Sequence, residues 1–290
     1  MKKFLASMGA VSLVLAATGM AVAGQPTPWQ MGFQPAATGI MAEIAWFERY
    51  TLYFIIPVTI MVLMLLAWCI VRYRASANPV PSRVSHNTMI EVIWTIGPVI
   101  ALLFISVPSF QLLTSQYTPP EEPAMTIKAT GLQWSWEYEY QDEEPLTFAS
   151  FLLRDEDREA AGKQDRNEYP RLLAVDNEVV VPVDTTVRVL ITGADVIHAF
   201  AMPAFGIKVD AVPGRINETF FKAEREGIFY GQCSELCGKD HAFMPIGIRV
   251  VSQEQYATWR AQAQANLDDA NKALVASLRG QELNVADAGN

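Results

Sequence analysis

Two long hydrophobic runs without a charged residue dominate the first half of the chain. They extend from Tyr50 to Val71 and from Val92 to Leu113, and each has 22 residues. At a rise of 1.5 Å per residue each run would form a helix of about 33 Å, long enough to cross a hydrocarbon core of about 30 Å. Prolines inside the runs are tolerated better in membrane helices than in soluble ones. We therefore predict two transmembrane helices, at about 50–71 and 92–113.

The charged residues beside these runs predict their orientation. The loop between them carries Arg72, Arg74, Arg83 and His86, with no acidic residue before Glu91. The outer flanks of the two runs are acidic. Because short loops rich in Arg and Lys stay in the cytoplasm, we expect this loop inside and both flanks outside.

The beginning of the chain has the pattern of a secretory signal. Lys2 and Lys3 precede a hydrophobic run that ends in the small-residue site Ala21-Val22-Ala23. This pattern predicts a signal peptide at residues 1–23, cut after Ala23. An uncleaved membrane anchor is the alternative. Cleavage would leave a first segment at residues 24–117 that contains the two spans.

After the second run the pattern changes to short segments rich in β-forming residues, separated by Gly and Pro clusters. We predict an antiparallel sandwich or barrel at residues 118–252. The charged stretch 154–171 interrupts the pattern, and we interpret it as a partly helical surface insertion. From residue 253 to 290 we predict a helical extension, helical to about Arg279 and frayed beyond. The predicted strands are Met125–Thr130, Trp134–Tyr140, Glu178–Val183, Thr186–Thr192, Gly227–Gln232 and Ile246–Val251.

Composition and charge exclude two classes of protein. Hydrophobic residues make up 51% and charged residues 18% of the chain, against about a quarter charged in soluble domains, which excludes a disordered chain. The net charge is −9, so binding to nucleic acid has no electrostatic basis. Residues 118–251 hold 23 acids and 13 bases, a net charge of −10. An acidic exported domain is suited to a basic partner.

Metal-binding side chains are concentrated in one short stretch. Cys233, Cys237, His241 and Met244 lie within twelve residues, and His198 lies upstream. Sulfur and imidazole ligands favour copper, or zinc where only Cys and His bind, and the Met favours copper. A mononuclear blue-copper site needs one Cys, so the second thiolate could bridge a second ion. A disulfide between the two cysteines is the alternative in an exported domain.

Several motifs together resemble a known family. The chain is similar to subunit 2 of cytochrome c oxidase, the copper-bearing subunit of haem–copper respiratory oxidases, from about Trp46 to Ser252. The signal sequence suggests a bacterial member. The C-x-x-x-C-x-x-x-H-x-x-M pattern with an upstream His is the most specific of the motifs. The residues that carry the resemblance are 231–244, 193–198 (Gly-Ala-Asp-Val-Ile-His), 212–215 (Val-Pro-Gly-Arg), 133–136 (Gln-Trp-Ser-Trp) and 91–98.

The resemblance implies a fold and a metal centre. The expected architecture is mixed, membrane and all-β: a two-helix transmembrane hairpin, then an exported cupredoxin-like Greek-key barrel with a dinuclear copper A centre. By this match Cys233 and Cys237 bridge the coppers, His198 and His241 bind one copper each, and Met244 is a weak ligand. Glu235 would lend its backbone carbonyl to copper. Its side chain would reach a magnesium ion shared with subunit 1, a solvated carboxylate being the alternative.

The resemblance also implies partners and a location. Electrons would pass from reduced cytochrome c through Trp134 to copper A, then to haem in subunit 1, outside this chain, where oxygen is reduced and protons are pumped. Subunit 3 is a further expected partner. The location would be the bacterial inner membrane, with the copper domain on the periplasmic side. Glu91 would lie at a proton-channel entrance, unless it is only a helix-start residue. The expected docking acids for cytochrome c are Glu139, Asp142, Glu144, Asp176 and Asp195.

The two tryptophans of the Gln-Trp-Ser-Trp motif, and two alternative classes of protein, lead to further predictions. A strand containing both Trp134 and Trp136 would place them on one face, and for Trp136 we expect ordinary core packing. A membrane-anchored copper chaperone would have a thioredoxin-like βαβ domain and no need of Met244, Trp134 or Glu235. A quinol oxidase subunit of the same fold would lack the ligand set that is present here.

Overall fold

A computed structural model of the chain describes residues 24–141 and 144–288, with side chains described to residue 280. The predicted signal peptide and the predicted docking residue Asp142 lie outside the described residues. Two long helices come first, α1 (Gly39–Arg72) and α2 (Thr88–Tyr117). They include both predicted spans and extend beyond them at the acidic ends. The helix-starting residues Thr38 and Asn87 each accept a hydrogen bond in the first turn, from Met41 N and Ile90 N.

The two helices are apolar and unburied over the lengths that could cross a membrane. They contact one another, with the Tyr50 hydroxyl donating to the Phe104 carbonyl oxygen at 3.0 Å. A helix that exposes Leu, Ile and Val on all sides is stable only in a lipid environment or against other membrane helices. This is the arrangement of a membrane hairpin.

The domain that follows consists of two five-stranded sheets with the strand orders β3-β2-β1-β5-β8 and β4-β10-β9-β6-β7. The β1–β5 and β4–β10 pairs are parallel and the other pairs are antiparallel. The strands are β1 (Met125–Leu132), β2 (Ser135–Tyr140), β3 (Leu146–Ser150), β4 (Val179–Pro182), β5 (Thr186–Gly193), β6 (His198–Met202), β7 (Ile207–Ala211), β8 (Asn217–Lys222), β9 (Gly227–Cys233) and β10 (Pro245–Val251).

All six predicted strands are present, and the β-sandwich with a membrane hairpin is confirmed. Sequence pattern missed β3, β6, β7 and β8. Three of them, β3, β6 and β7, have five residues each, too few for an alternation of polar and apolar residues to stand out. Strands β6 and β7 are stabilised by pairing with one another, with His198 opposite Ala211.

The charged stretch 154–171 is folded onto the domain and is not only a surface insertion. Its helical content is one short 3-10 turn at Asp155–Asp157. Tyr169 packs with Ile228 and Tyr230 against the outer face of the second sheet, so every residue of β10 is buried. The insertion therefore supplies a second apolar layer over β9 and β10.

A buried group of charged side chains connects this insertion to the sheet. Glu178 lies 2.8 Å from Lys163 Nζ and 2.9 Å from Arg249 Nε. Arg249 also donates to the Tyr169 hydroxyl at 2.8 Å. Burial by itself raises the pKa of Glu178, but the two cations outweigh it and lower the pKa to about 2. The carboxylate is therefore ionised, as a buried charge must be paired to remain so.

The C-terminal extension forms two helices, α3 (Gln253–Ala263) and α4 (Leu267–Ala288). The helical extension that the sequence predicted is confirmed. It consists of two helices and not one, because the helix is interrupted after Ala263, and the second helix extends past Arg279. The extension packs on the domain through Trp259, which is buried 5.8 Å from the Tyr140 ring and donates to Asn271 at 2.9 Å.

Candidate metal centre

The predicted ligands come from two neighbouring strands and the loop between β9 and β10. His198 begins β6 and Cys233 ends β9, and these strands pair beside the site. The loop that follows is held at both ends. Ser234 N donates to the Ala199 carbonyl oxygen at 3.0 Å, and Cys233 N donates to that of Met244 at 3.3 Å. Backbone pairing thus brings ligands that are 46 positions apart in sequence to one end of the sheet.

The donor atoms of all the predicted ligands converge. The two thiol sulfurs of Cys233 and Cys237 are 3.8 Å apart. Each has its own imidazole: Nδ1 of His198 lies 3.9 Å from Cys233 Sγ, and Nδ1 of His241 lies 3.5 Å from Cys237 Sγ. The Met244 thioether lies 3.5 Å from Cys237 Sγ, and the Glu235 carbonyl oxygen lies 3.3 Å from Cys233 Sγ.

The site is enclosed and its thiols are reduced. His198 is fully buried, Cys233, Cys237 and Met244 are at most 5% exposed, and His241 is half-buried. The sulfur separation of 3.8 Å is far longer than a disulfide bond of about 2.05 Å, so the structure holds the two cysteines as free thiols. Burial, followed by the neighbouring Cys233 thiol, raises the pKa of Cys237 to about 12. A metal ion that binds here must therefore displace the thiol protons.

The His198 ring is held on three sides by residues that are not ligands. Asp195 Oδ1 lies 2.9 Å from Nε2 of the ring, and the Trp136 ring packs edge-on with centroids 6.1 Å apart. A Cβ at Gly131 would lie 2.8 Å from the ring, so only glycine leaves room there. Burial by itself raises the pKa of Asp195, but hydrogen bonds from His198, Val196 N and Gln133 N lower it below its usual value.

Trp134 lies against the metal loop, just before β2 and not within it. The expectation that it shares a strand face with Trp136 is therefore wrong: Trp136 is fully buried in the core, whereas Trp134 is half-buried. Its Nε1 donates to the Cys237 carbonyl oxygen at 3.3 Å, and the Gln133 side chain donates to the same oxygen at 2.8 Å. The indole is thus in contact with the backbone of a predicted ligand.

The predicted docking acids do not share one environment. Glu139 is half-buried and lies 3.3 Å from Lys128 Nζ, and Glu144 is exposed.

Asp176 accepts hydrogen bonds from Phe151 N at 2.8 Å and Asn177 N at 2.6 Å, and burial raises the pKa of Asp176. Asp195 contacts His198, as described above. Three of the acids, Glu139, Asp176 and Asp195, therefore have structural contacts that their sequence positions did not indicate.

The two remaining predicted residues lie in different places. Glu235 is exposed in the metal loop, so its side chain is free to reach a partner while its carbonyl faces Cys233. Glu91 lies in the first turn of α2, where its N–H donates to the Asn87 carbonyl oxygen at 3.0 Å. Its carboxylate is at the positive end of the helix dipole, which is favourable for an acid.

Sequence reasoning missed the supporting roles of Gly131 and of the Gln133 amide. Gln133 was part of a matched motif, but the motif does not show what its side chain contacts. A glycine that interrupts a β-forming run is a signal of close approach by another group, and this signal was available at Gly131. Only the structure shows that the approaching group is His198.

A membrane hairpin followed by a two-sheet domain, with thiols and imidazoles gathered at a strand end, defines a membrane-anchored protein of cupredoxin-like fold. The family model "Cytochrome C oxidase subunit II, periplasmic domain" matches residues 125–251, and the corresponding transmembrane-domain model matches residues 26–112. The chain belongs to the cytochrome c oxidase subunit II family. It is therefore a subunit of a haem–copper oxidase, anchored in the membrane and carrying a periplasmic domain.

Individual relatives agree with this assignment. The chain is 47% identical over 239 residues to a probable cytochrome c oxidase subunit 2 of Rickettsia bellii (strain RML369-C), covering 82% of this chain and 86% of the relative. It is 47% identical over 237 residues to cytochrome c oxidase subunit 2 of Oenothera berteroana, covering 80% and 89%. The crystal structure of the periplasmic domain of subunit II of Bradyrhizobium japonicum cytochrome oxidase is 54% identical, covering 51% and 98%, with a TM-score of 0.45.

Proposed function

We propose that this chain accepts electrons from reduced cytochrome c at a dinuclear copper A centre and passes them to haem in subunit 1. Oxygen would be reduced to water in that subunit, coupled to proton pumping. The observation that carries the proposal is the pair of buried thiols 3.8 Å apart, each with its own imidazole. Cys233, Cys237, His198 and His241 would hold the copper ions of this centre.

The donor set fits copper better than zinc. A structural zinc ion would take four ligands, two thiolates and two imidazoles, around one centre. Here a thioether and a backbone carbonyl also lie within 3.5 Å of the thiols, and a thioether is a soft ligand that favours copper. When bound, the copper pair would supply one-electron redox chemistry shared over two metals.

The chain's own residues would keep the site rigid and dry. His198, Cys233 and Met244 are held by strand pairing and are almost fully buried. Because the ligands are oriented before metal binds, little rearrangement is needed between redox states. Because these three ligands are enclosed by protein, the arrangement supports electron transfer better than chemistry on a bound substrate.

Trp134 is the proposed point at which the electron enters from cytochrome c. Its indole is half-buried and hydrogen-bonded to the Cys237 carbonyl oxygen, so it links the surface to a proposed bridging ligand. The net charge of −10 for residues 118–251 would attract a basic cytochrome c to this domain. Glu139, Asp142 and Glu144 remain the proposed docking acids, together with Asp176 and Asp195.

The remaining assignments are also part of the proposal. The Glu235 side chain would bind magnesium at the boundary with subunit 1, and Glu91 would mark a proton-channel entrance. Residues 1–23 would be removed as a signal peptide, and the copper domain would face the periplasm of a bacterial inner membrane. The residue ranges 24–117, 118–252 and 253–290 are the proposed divisions of the remaining chain.

The test is the copper content and EPR spectrum of the full chain, purified in detergent without its partner subunits and loaded with copper. We expect two coppers per chain and a mixed-valence signal delocalised over both. Cys237→Ser should abolish this signal, whereas the matched control Cys69→Ser, in α1 outside the site, should keep it. One copper per chain with a four-line blue-copper spectrum would refute the proposal.

A further inference from the structure

The described chain begins with an extended segment that runs across the β domain into α1, and we name residues 24–38 the N-terminal strap. At its start Gly24 N donates to the Ile228 carbonyl oxygen at 2.8 Å, and Tyr230 N donates to the Gly24 carbonyl oxygen at 2.9 Å. At its end Ala37 N donates to the Ala204 carbonyl oxygen at 2.9 Å. The strap is therefore attached at its start to β9 of the second sheet, and at its end to the turn Pro203–Phe205 between β6 and β7.

Two features fix these attachments. A Cβ at Gly24 would collide with the Phe229 ring, so glycine allows the strap to lie flat on β9. The Arg225 guanidinium donates to the carbonyl oxygens of Pro35 and Ala36 at 3.2 and 3.3 Å while stacking over Phe229. These contacts fix the two ends of the strap on the domain, on either side of its middle residues.

The middle of the strap exposes large apolar side chains. Trp29 is 97%, Met31 99% and Phe33 52% exposed. Trp29 and Phe33, together with Pro203, line an open groove of about 480 Å³. No charged residue occurs from Gly24 to Ala42. A surface so apolar and uncharged is rarely left in contact with water.

The position of this surface indicates what covers it. Pro203 begins the short turn Pro203–Phe205, and that turn packs on the first turns of α1, with the Thr38 hydroxyl donating to the Phe205 carbonyl oxygen at 2.9 Å. The groove therefore lies at the end of the domain where α1 leaves it for the membrane. Trp and Phe are enriched at the membrane–water boundary, and uncharged apolar segments partition into it.

We propose that Trp29, Met31 and Phe33 insert into the lipid interface of the outer leaflet. The strap then gives the periplasmic domain a second attachment to the bilayer, in addition to the two spans. Because the strap is hydrogen-bonded to the periplasmic domain at both ends, this attachment restricts how the domain tilts about the top of the hairpin. The occupant is lipid, and a neighbouring oxidase subunit is the competing outcome in the test.

The test places a photocrosslinking side chain on the strap of the assembled oxidase in nanodiscs of phosphatidylethanolamine and phosphatidylglycerol. Met31→p-benzoylphenylalanine should yield lipid adducts, identified by mass spectrometry, at least tenfold above those of Asp268→p-benzoylphenylalanine. Asp268 is the matched control, because it is exposed on the C-terminal extension. Adducts with another oxidase subunit, or lipid adducts no more frequent than at position 268, would overturn the proposal.

A second measurement tests how deeply Trp29 inserts into the bilayer, without a crosslinker. In vesicles whose lipids are brominated close to the headgroup, the tryptophan fluorescence of the parent oxidase should be quenched more than that of Trp29→Phe. With lipids brominated near the chain ends this difference should disappear, because the strap reaches only the interface. Equal quenching of the two proteins by the shallow probe would refute lipid insertion. Trp29 is exposed, so its replacement removes no core contact.

Discussion

Asp195 and His198 form a hydrogen-bonded pair in which Asp195 Oδ1 lies 2.9 Å from Nε2 of the imidazole. The opposite nitrogen, Nδ1, points at Cys233 Sγ. A carboxylate beside Nε2 keeps the proton of the neutral ring on that nitrogen and leaves the Nδ1 lone pair for a metal. The contact makes Asp195 a positioning residue for a proposed copper ligand, in addition to its proposed role in docking.

This pair leads to a prediction about copper affinity. Asp195→Ala should lower the affinity of the full chain for copper by about 10–100-fold, the usual effect of removing such a partner, and should change the histidine couplings in the EPR spectrum. Asp210→Ala is the control, because Asp210 is an exposed acid of the same domain. Unchanged affinity and couplings in Asp195→Ala would show that the ring is oriented by packing alone.

Trp134 should be required for electron transfer and not for metal binding. Trp134→Ala removes no metal-binding atom, so copper content should be retained while the rate of electron transfer from reduced cytochrome c falls by orders of magnitude. Trp134→Phe should restore part of the rate, because an aromatic ring remains. Stopped-flow oxidation of reduced cytochrome c by the assembled oxidase measures this rate. A parental rate in Trp134→Ala would place the electron path elsewhere.

The docking acids should separate into two groups. Glu139→Gln and Glu144→Gln should slow association with cytochrome c and flatten its salt dependence, since the carboxylates of the half-buried Glu139 and the exposed Glu144 both reach solvent and act over about 8 Å at 0.15 M salt. Asp176→Ala should instead destabilise the domain by about 1–3 kcal/mol, because the N–H groups of Phe151 and Asn177 lose their acceptor. Stopped-flow association rates and thermal denaturation distinguish the two effects. Asp176→Ala with normal stability and slow association would contradict this division.

Glu178 should make the stability of the periplasmic domain depend on pH. Its folded-state pKa of about 2 lies below the ordinary 4.5, so its ion pairs stabilise the fold fully above pH 4.5. That contribution is lost as the pH falls from 4.5 through about 2. Glu178→Gln should cost roughly 3–5 kcal/mol at neutral pH, because Lys163 and Arg249 keep buried charges without a partner, and it should flatten this acid dependence.

Thermal denaturation of the full chain in detergent across a pH series measures both effects. Glu159→Gln is the matched control, since Glu159 is an exposed acid of the same insertion, and it should leave the stability unchanged. An unaltered acid dependence in Glu178→Gln would show that other carboxylates determine it.

The sequence by itself determined the membrane hairpin, six of the ten strands and the set of candidate metal ligands. Span length, β-forming runs and the spacing from Cys233 to Met244 are local properties, and local physical chemistry is enough to interpret them. The four missed strands depend on pairing with partners, which a short run does not encode.

Only the tertiary structure decided which residues support the site and which charges are buried. Gly131 approaches the His198 ring because β1 and β6 converge at one end of the domain, and no single segment contains that contact. Asp195 is only three residues from His198, but the bend before β6 is what brings its carboxylate to the ring. The insertion 154–171 shows in the same way that the sequence alone does not predict which charges are buried. Its alternating acids and bases are typical of a solvated surface, yet Lys163 is buried, because Glu178 outside the insertion provides the opposite charge and also pairs with the buried Arg249. Burial of a charge depends on a partner, and only folding brings the partner.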